Sequence, residues 1–207
     1  MAVYNKNRHK VGTKQHSGGA RSASQPKIYE QYFDSPAAAS TTGVHAAITD
    51  TGAAQTITTS ITSPTIPRNI SATAGGVAGD IKAISVTVTG TDYYGATQTE
   101  AIGPFTVNNA GTVYGSKAFA TVTSIALPKH DGTGATTSIG WSDKLGLDMK
   151  MKYPRICYEL EDDAVVGTAG TVVGYSTGTP NGTYDPNSAC DGSKTFRVGI
   201  AYFDDEL

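Results

Sequence analysis

The chain has 207 residues, a formal net charge of −2, 16% charged residues, 24 glycines and two cysteines. Five leucines stand against 29 threonines, which removes strong helix formers and supplies a β-branched residue instead, so extended helical architectures are excluded and an all-β fold is expected. No window approaches the roughly eighteen consecutive apolar residues of a membrane-spanning helix, and two cysteines cannot build a disulfide-stapled module.

Residues 1–29 contain Lys6, Arg8, Lys10, Lys14, Arg21 and Lys27 and no acidic residue, a local charge of +6, so residues 30–207 carry −8. Rich in Gly, Ser, Asn and Gln, the stretch holds too little apolar surface to offset its ordering entropy, and it reads either as a solvated leader or as a basic arm that orders on an acidic partner surface or on nucleic acid. Nucleic acid is the poorer target, because Tyr4 is the one aromatic residue among these charges before Tyr29. With no apolar run behind its first charges, the N-terminus does not read as a secretory signal, and a soluble protein made in a cytosol is expected. Tyr29, Tyr32 and Phe33 then cluster aromatic rings where arm meets body, either as an anchor on the domain or as a contact on a neighbouring subunit. Ser35 to Gly43 has linker composition, which divides the chain into an arm and linker over 1–43 and a β body over 44–207.

Within the body, Ile48–Gly52 and Gln55–Ile61 read as paired strands, and Arg68–Thr73 as another. The Gly75–Asp80 turn lacks the Gly-Lys-Ser/Thr ending of a phosphate loop and precedes a strand where such a loop opens a helix. Ile84 to Thr89 alternates apolar with hydroxyl side chains, the period of a half-buried strand, and Thr97–Ile102 returns as its outer hairpin partner. Short strands are expected at Phe105–Val107, Thr112–Tyr114, Phe119–Leu127 and Thr136–Trp141, separated by Gly, Asn, Asp and Pro. This spacing predicts an antiparallel, jelly-roll-like β-sandwich.

Past Trp141, Asp143–Asp148 reads as a loop or helical turn, Arg155–Leu160, Val172–Tyr175 and Thr195–Phe203 as strands, and Ser176–Lys194 as a long loop. Cys157 is expected inside its strand and Cys190 exposed in its loop, both as free thiols in preference to a bridge. Lys150, Lys152 and Arg155 form a basic patch, while Glu159, Glu161, Asp162 and Asp163 read as a solvated acidic turn in preference to a calcium loop, since no Asp-x-Asp-x-Asp-Gly run is present. His9, His16, His45 and His130 offer no short-range metal pair, and no Gly-x-Ser-x-Gly elbow appears. Neither catalytic residues nor a cofactor or metal site is therefore expected.

The phrases Pro67–Gly76, Asp80–Ile84, Val86–Asp92, Thr99–Ile102 and Phe105–Val107 resemble β-rich virion proteins of tailed bacteriophages. Ala110–Val113, Lys117–Phe119, Val122–Ile125 and Asp143–Leu147 continue the likeness, which covers roughly residues 67–148. The resemblance implies a non-enzymatic structural role, most simply a capsid cement or decoration protein. Such a protein binds the major capsid protein or other virion proteins, forms homo-oligomers, and resides in a virion assembled in the host cytoplasm. A tail, baseplate or head-fibre component is the alternative within that class. A carbohydrate-binding adhesin, using Tyr93, Tyr94, Trp141, Tyr175 and Tyr184, is the alternative outside it.

Overall fold

A computed structural model describes residues 27–176 and 181–202. Fourteen strands and one 3-10 turn at Ala78–Asp80 make up the regular structure among these residues, so the all-β expectation holds. Three antiparallel sheets share two hydrophobic cores.

The first sheet has the order β3 (Gln55–Ile57), β8 (Thr121–Leu127), β5 (Val86–Thr91), β6 (Thr97–Ile102). Its alternation is as expected: Val86 and Val88 are buried while Thr87 and Thr89 lie on the partly exposed face. Opposite it runs a second sheet of β12 (Thr171–Val173), β13 (Thr183–Asp185), β9 (Ala135–Gly146), β4 (Arg68–Gly76) and β7 (Gly111–Phe119). The twelve-residue β9 pairs with β4 along one edge, and β2 (Ser40–Thr49) and β13 divide its other edge. Between the two sheets Ile70, Ala72 and Ile139 meet Val86, Val88, Ile102 and Ile125 in the larger core. Where β6 and β7 come together, the Glu100 carboxylate accepts the Ser116 and Lys117 backbone N–H groups, and the Gln98 amide donates to Ala118. Side chains thereby curl two sheets around one core where no backbone ladder joins them. Gly115 leaves room for this, since a Cβ there would sit 2.4 Å from Glu100 Oε2.

The third sheet, β1 (Lys27–Phe33), β14 (Phe196–Tyr202), β10 (Arg155–Glu161) and β11 (Ala164–Val165), packs Phe196, Val198 and Ile200 against Leu145, Leu147 and Met151 in the second core. One long strand, β9, contributes to both cores.

Several sequence expectations move. Ile48–Gly52 and Gln55–Ile61 do not pair with each other, because β2 joins β9 and β3 joins β8. Phe105–Val107 is not a strand: after Pro104, which has no N–H to donate, Phe105 plugs the first core and its own N–H bonds Ile84. Asp143–Asp148 is no loop up to Gly146, since β9 runs on beside Arg68 and Thr183. The segment between Ser176 and Lys194 contains β13. Residues 27–43, assigned to arm and linker, contribute β1 and the start of β2. Gly43 in that stretch is covered by the Trp141 ring, whose nearest carbon would lie 2.6 Å from a Cβ.

The two thiols are exchanged relative to expectation. Both are free, but Cys157 is exposed and Cys190 buried. The register of β10 on β14 steps between Ile156 and Tyr158, so Cys157 is the extra residue of a bulge on the sheet's surface. Cys190 lies beside Arg68 and Asp143, and burial pushes its thiol up to about 12. A disulfide-exchange reagent should therefore label one thiol in the native protein and the second only after unfolding. Titration with Ellman's reagent, with and without denaturant, checks this, and two fast thiols in the native state would contradict it.

Candidate functional site

The edge strand β1 is where the predicted contact residues can be located. Lys6, Arg8, Lys10, Lys14 and Arg21 lie outside the described residues. Lys27 opens β1 opposite Tyr202, so the basic stretch enters the body at the end of a paired strand. The aromatic trio that follows does not form one patch, because a strand sends successive side chains to opposite faces. Phe33 is buried and stacks on Tyr184 at 5.6 Å. Tyr29 turns the same way and donates its hydroxyl hydrogen bond to the Asp148 carboxylate. Burial first, and Asp148 next, raise the Tyr29 phenol well above its ordinary range. Tyr32 alone faces outward, half exposed, with the Arg197 guanidinium over its ring at 5.7 Å. The anchor reading thus describes Tyr29 and Phe33, and only Tyr32 remains free for a neighbour.

Gln31, between them in register, is buried and bonds the backbone twice. Its amide nitrogen donates to the Gly146 carbonyl at 3.2 Å and its amide oxygen accepts the Asp148 N–H at 3.2 Å. A side chain there replaces a strand, tying the third sheet to the exit of β9. Tyr94, at the tip of the hairpin between β5 and β6, donates to the Asp148 carbonyl. Asp148, two residues past the end of β9, therefore collects contacts from β1 and from that hairpin, and the two cores are latched at one residue. On the outer face of the third sheet, the Tyr158 ring lies over Gly199, where a Cβ would fall 2.2 Å from the ring, and its hydroxyl bonds Glu30 on β1.

The second latch is Arg68, 2% exposed at the start of β4. Its guanidinium donates to the Ser142 carbonyl at 2.7 Å, to the Ala37 carbonyl at 2.7 Å and to the Asp143 carboxylate at 3.3 Å. Burial lowers its pKa, with Asp143 and Cys190 acting in the other direction.

The acidic run resolves into separately engaged groups. Glu159 is buried and accepts the Gly170 N–H; Glu161 pairs with Lys194 at 2.8 Å and accepts from Ser188, bonds that hold its carboxyl below the usual range. Asp163 meets Arg197 at 3.0 Å. Among the described residues no group of three or more His, Cys, Asp and Glu side chains converges to hold a metal ion. Of the aromatic residues weighed for sugar binding, Tyr184 is fully buried and Trp141 is half buried with its indole N–H on the Ala38 carbonyl, whereas Tyr93, Tyr94 and Tyr175 are exposed. Tyr153, which the sequence offers no periodic signal to single out, is more exposed than any of these.

No protein-family model, curated protein or solved structure matches this chain.

Proposed function

We propose that the chain is a non-enzymatic structural protein of a tailed-bacteriophage virion, a capsid cement or decoration protein that bridges neighbouring capsomers. What supports the reading is the joining of a latched, two-core β body to a run of positive charge at its edge strand. Bridging a junction needs a body that transmits load without yielding, and the Gln31, Asp148 and Arg68 bonds supply that between the cores. It also needs reach, and the 26 residues before β1 can extend about 85 Å at some 3.3 Å per residue. Ordering such a stretch costs on the order of 1–2 kcal/mol per residue, so many contacts on the partner must offset it. Lys6, Arg8, Lys10, Lys14 and Arg21 are suited to carboxylates on the major capsid protein or on other virion proteins, with Lys27 and Tyr32 adding contacts from β1. The body assembles as a homo-oligomer and the virion is its location. The phage-virion class itself is taken from the sequence resemblance of residues 67–148.

Deleting residues 1–26, which leaves β1 whole, tests the role of the basic run. The full chain should co-sediment with capsids of the parent phage at about 50 mM salt and much less at about 500 mM, since screening shortens the range of exposed charges. The truncated chain should lose most of the low-salt binding. Equal binding of both chains at both salt concentrations would overturn the assignment.

A further inference from the structure

The exposed large hydrophobic side chains are not evenly spread. Tyr93, Tyr94, Tyr153, Val173 and Tyr175 sit close to the segment from Asp148 to Pro154. A cleft of about 500 Å³ is lined there by Lys152, Tyr153, Val173, Gly174, Tyr175 and Ser176. Tyr153 is 60% exposed, Val173 48% and Tyr175 44%, so three apolar groups line an open groove. Exposed aromatic clusters of this kind mark binding surfaces more often than isolated surface rings do.

The groove is firmly built. The Tyr175 N–H donates to the Met151 carbonyl at 2.7 Å, and Met151 is fully buried in the second core. At Gly174 the two segments touch through their backbones, because a Cβ would lie 2.3 Å from the Lys152 carbonyl oxygen and 2.6 Å from Pro154. The floor is consequently main chain where Gly174 meets Lys152 and Pro154. The described walls of the groove are exposed and largely aromatic, with Tyr153 and Tyr175 on them. Two cations border it: the Lys150 ammonium lies 5.5 Å from the Tyr175 ring centre and the Lys152 ammonium 5.5 Å from that of Tyr153. Each is exposed and sits over an electron-rich ring face.

We propose that this cleft binds an acidic saccharide, a glycan bearing uronate or sulfate groups. A sugar ring has one apolar C–H face and a polar rim, which fits a tyrosine wall above a main-chain floor with carbonyl groups nearby. The anionic substituents meet Lys150 and Lys152, and the rings are held in place before the ligand arrives, so little ordering cost is added on binding. This binding does not depend on the cement reading, since the residues that line the cleft belong to the body.

The probes are a galacturonate tetramer, a neutral maltotetraose and a glutamate tetrapeptide, titrated calorimetrically into the full chain. The galacturonate tetramer should bind saturably, and more weakly as salt rises. Tyr153→Ala and Tyr175→Ala should each weaken it roughly tenfold, the loss expected when an aromatic contact is removed. Combined Lys150→Gln and Lys152→Gln should abolish the salt dependence, and deletion of residues 1–26 should leave binding unchanged. All these side chains are exposed, so unaltered melting curves will confirm folded variants. Absence of saturable binding at millimolar galacturonate, or indifference to both tyrosine substitutions, would overturn the proposal. Equal binding of maltotetraose would overturn the acidic class, and tighter binding of the peptide would assign the cleft to a protein partner instead.

Discussion

Replacing Arg68 by methionine should lower the thermal midpoint by on the order of 10 °C. The side chain is nearly isosteric, so the loss is one of bonding more than of volume. Removing one partner of a buried ion pair typically costs about 3–5 kcal/mol, and at this chain length each kcal/mol shifts the midpoint by about 2–4 °C. Methionine leaves the Ala37 and Ser142 carbonyls and the Asp143 carboxylate without their donor, in a site where Arg68 is 2% exposed. Arg68→Lys should recover little, because one ammonium cannot span three acceptors that the planar guanidinium reaches at once. Asp143→Asn should cost less, since both carbonyl bonds survive. Differential scanning calorimetry of the three variants gives the order; a methionine variant that melts with the wild type would show that Arg68 is not a latch.

Stability should also fall as pH drops below about 6.5, and His130 should account for a resolvable part of the fall. The ring is 2% exposed and stacks on Phe105 at 6.0 Å. Its Nδ1 accepts the Lys82 backbone N–H at 3.2 Å, which makes Nε2 the protonated nitrogen and the donor to Thr137 Oγ1 at 3.0 Å. A second proton would place N–H against N–H at Lys82. Burial lowers the His130 pKa below its usual 6.5, with Asp50 and Asp131 opposing less strongly. For a base depressed on folding, the contribution is complete above the unfolded value near 6.5 and is lost as pH falls through the lower folded value, with a limiting slope of about 1.4 kcal/mol per pH unit. Asp185 works in the opposite sense. Burial raises its carboxyl, so its contribution is present at acid pH and is lost as pH rises. Comparing the wild type with His130→Gln separates the two, and the variant should show a shallower profile as pH falls below about 6.5. Parallel profiles from chemical denaturation would contradict this account.

How much of this was legible in the chain depends on how far each cause lies in sequence. Val86 and Val88 declared their strand because a strand's period is local, and Asn108, one of the Asn residues between the expected strands, takes a positive φ of 55°. Arg68 declared nothing beyond a place at the head of a strand, since its partners at 37, 142 and 143 are set by the pairing of β4 with β9. His130 lies within the turn residues His130–Gly134 and has no histidine partner nearby in sequence, which says nothing of its burial. It is Asp50, accepting its backbone N–H from eighty positions away, that helps draw it inside. Phe105 has strand composition, but Pro104 and the first core made it a plug. The aromatic trio of β1 was visible as a cluster, whereas its division into inward Tyr29 and Phe33 and outward Tyr32 follows from pairing with β14. The segments carrying Tyr153 and Tyr175 meet through the Tyr175 N–H bond to Met151 and the close approach of Gly174 to Lys152, for which no periodic pattern exists.

The central claim, that this β body earns its role by gripping neighbours within a particle, is tested most directly by counting it there. Quantitative mass spectrometry of purified virions of the parent phage should find the chain at a stoichiometry that follows the capsid lattice, on the order of hundreds of copies per particle, because a protein that bridges capsomers repeats with the closed symmetry of the shell. A copy number matching a single ring would move it to the tail, and its absence from the particle would contradict the account.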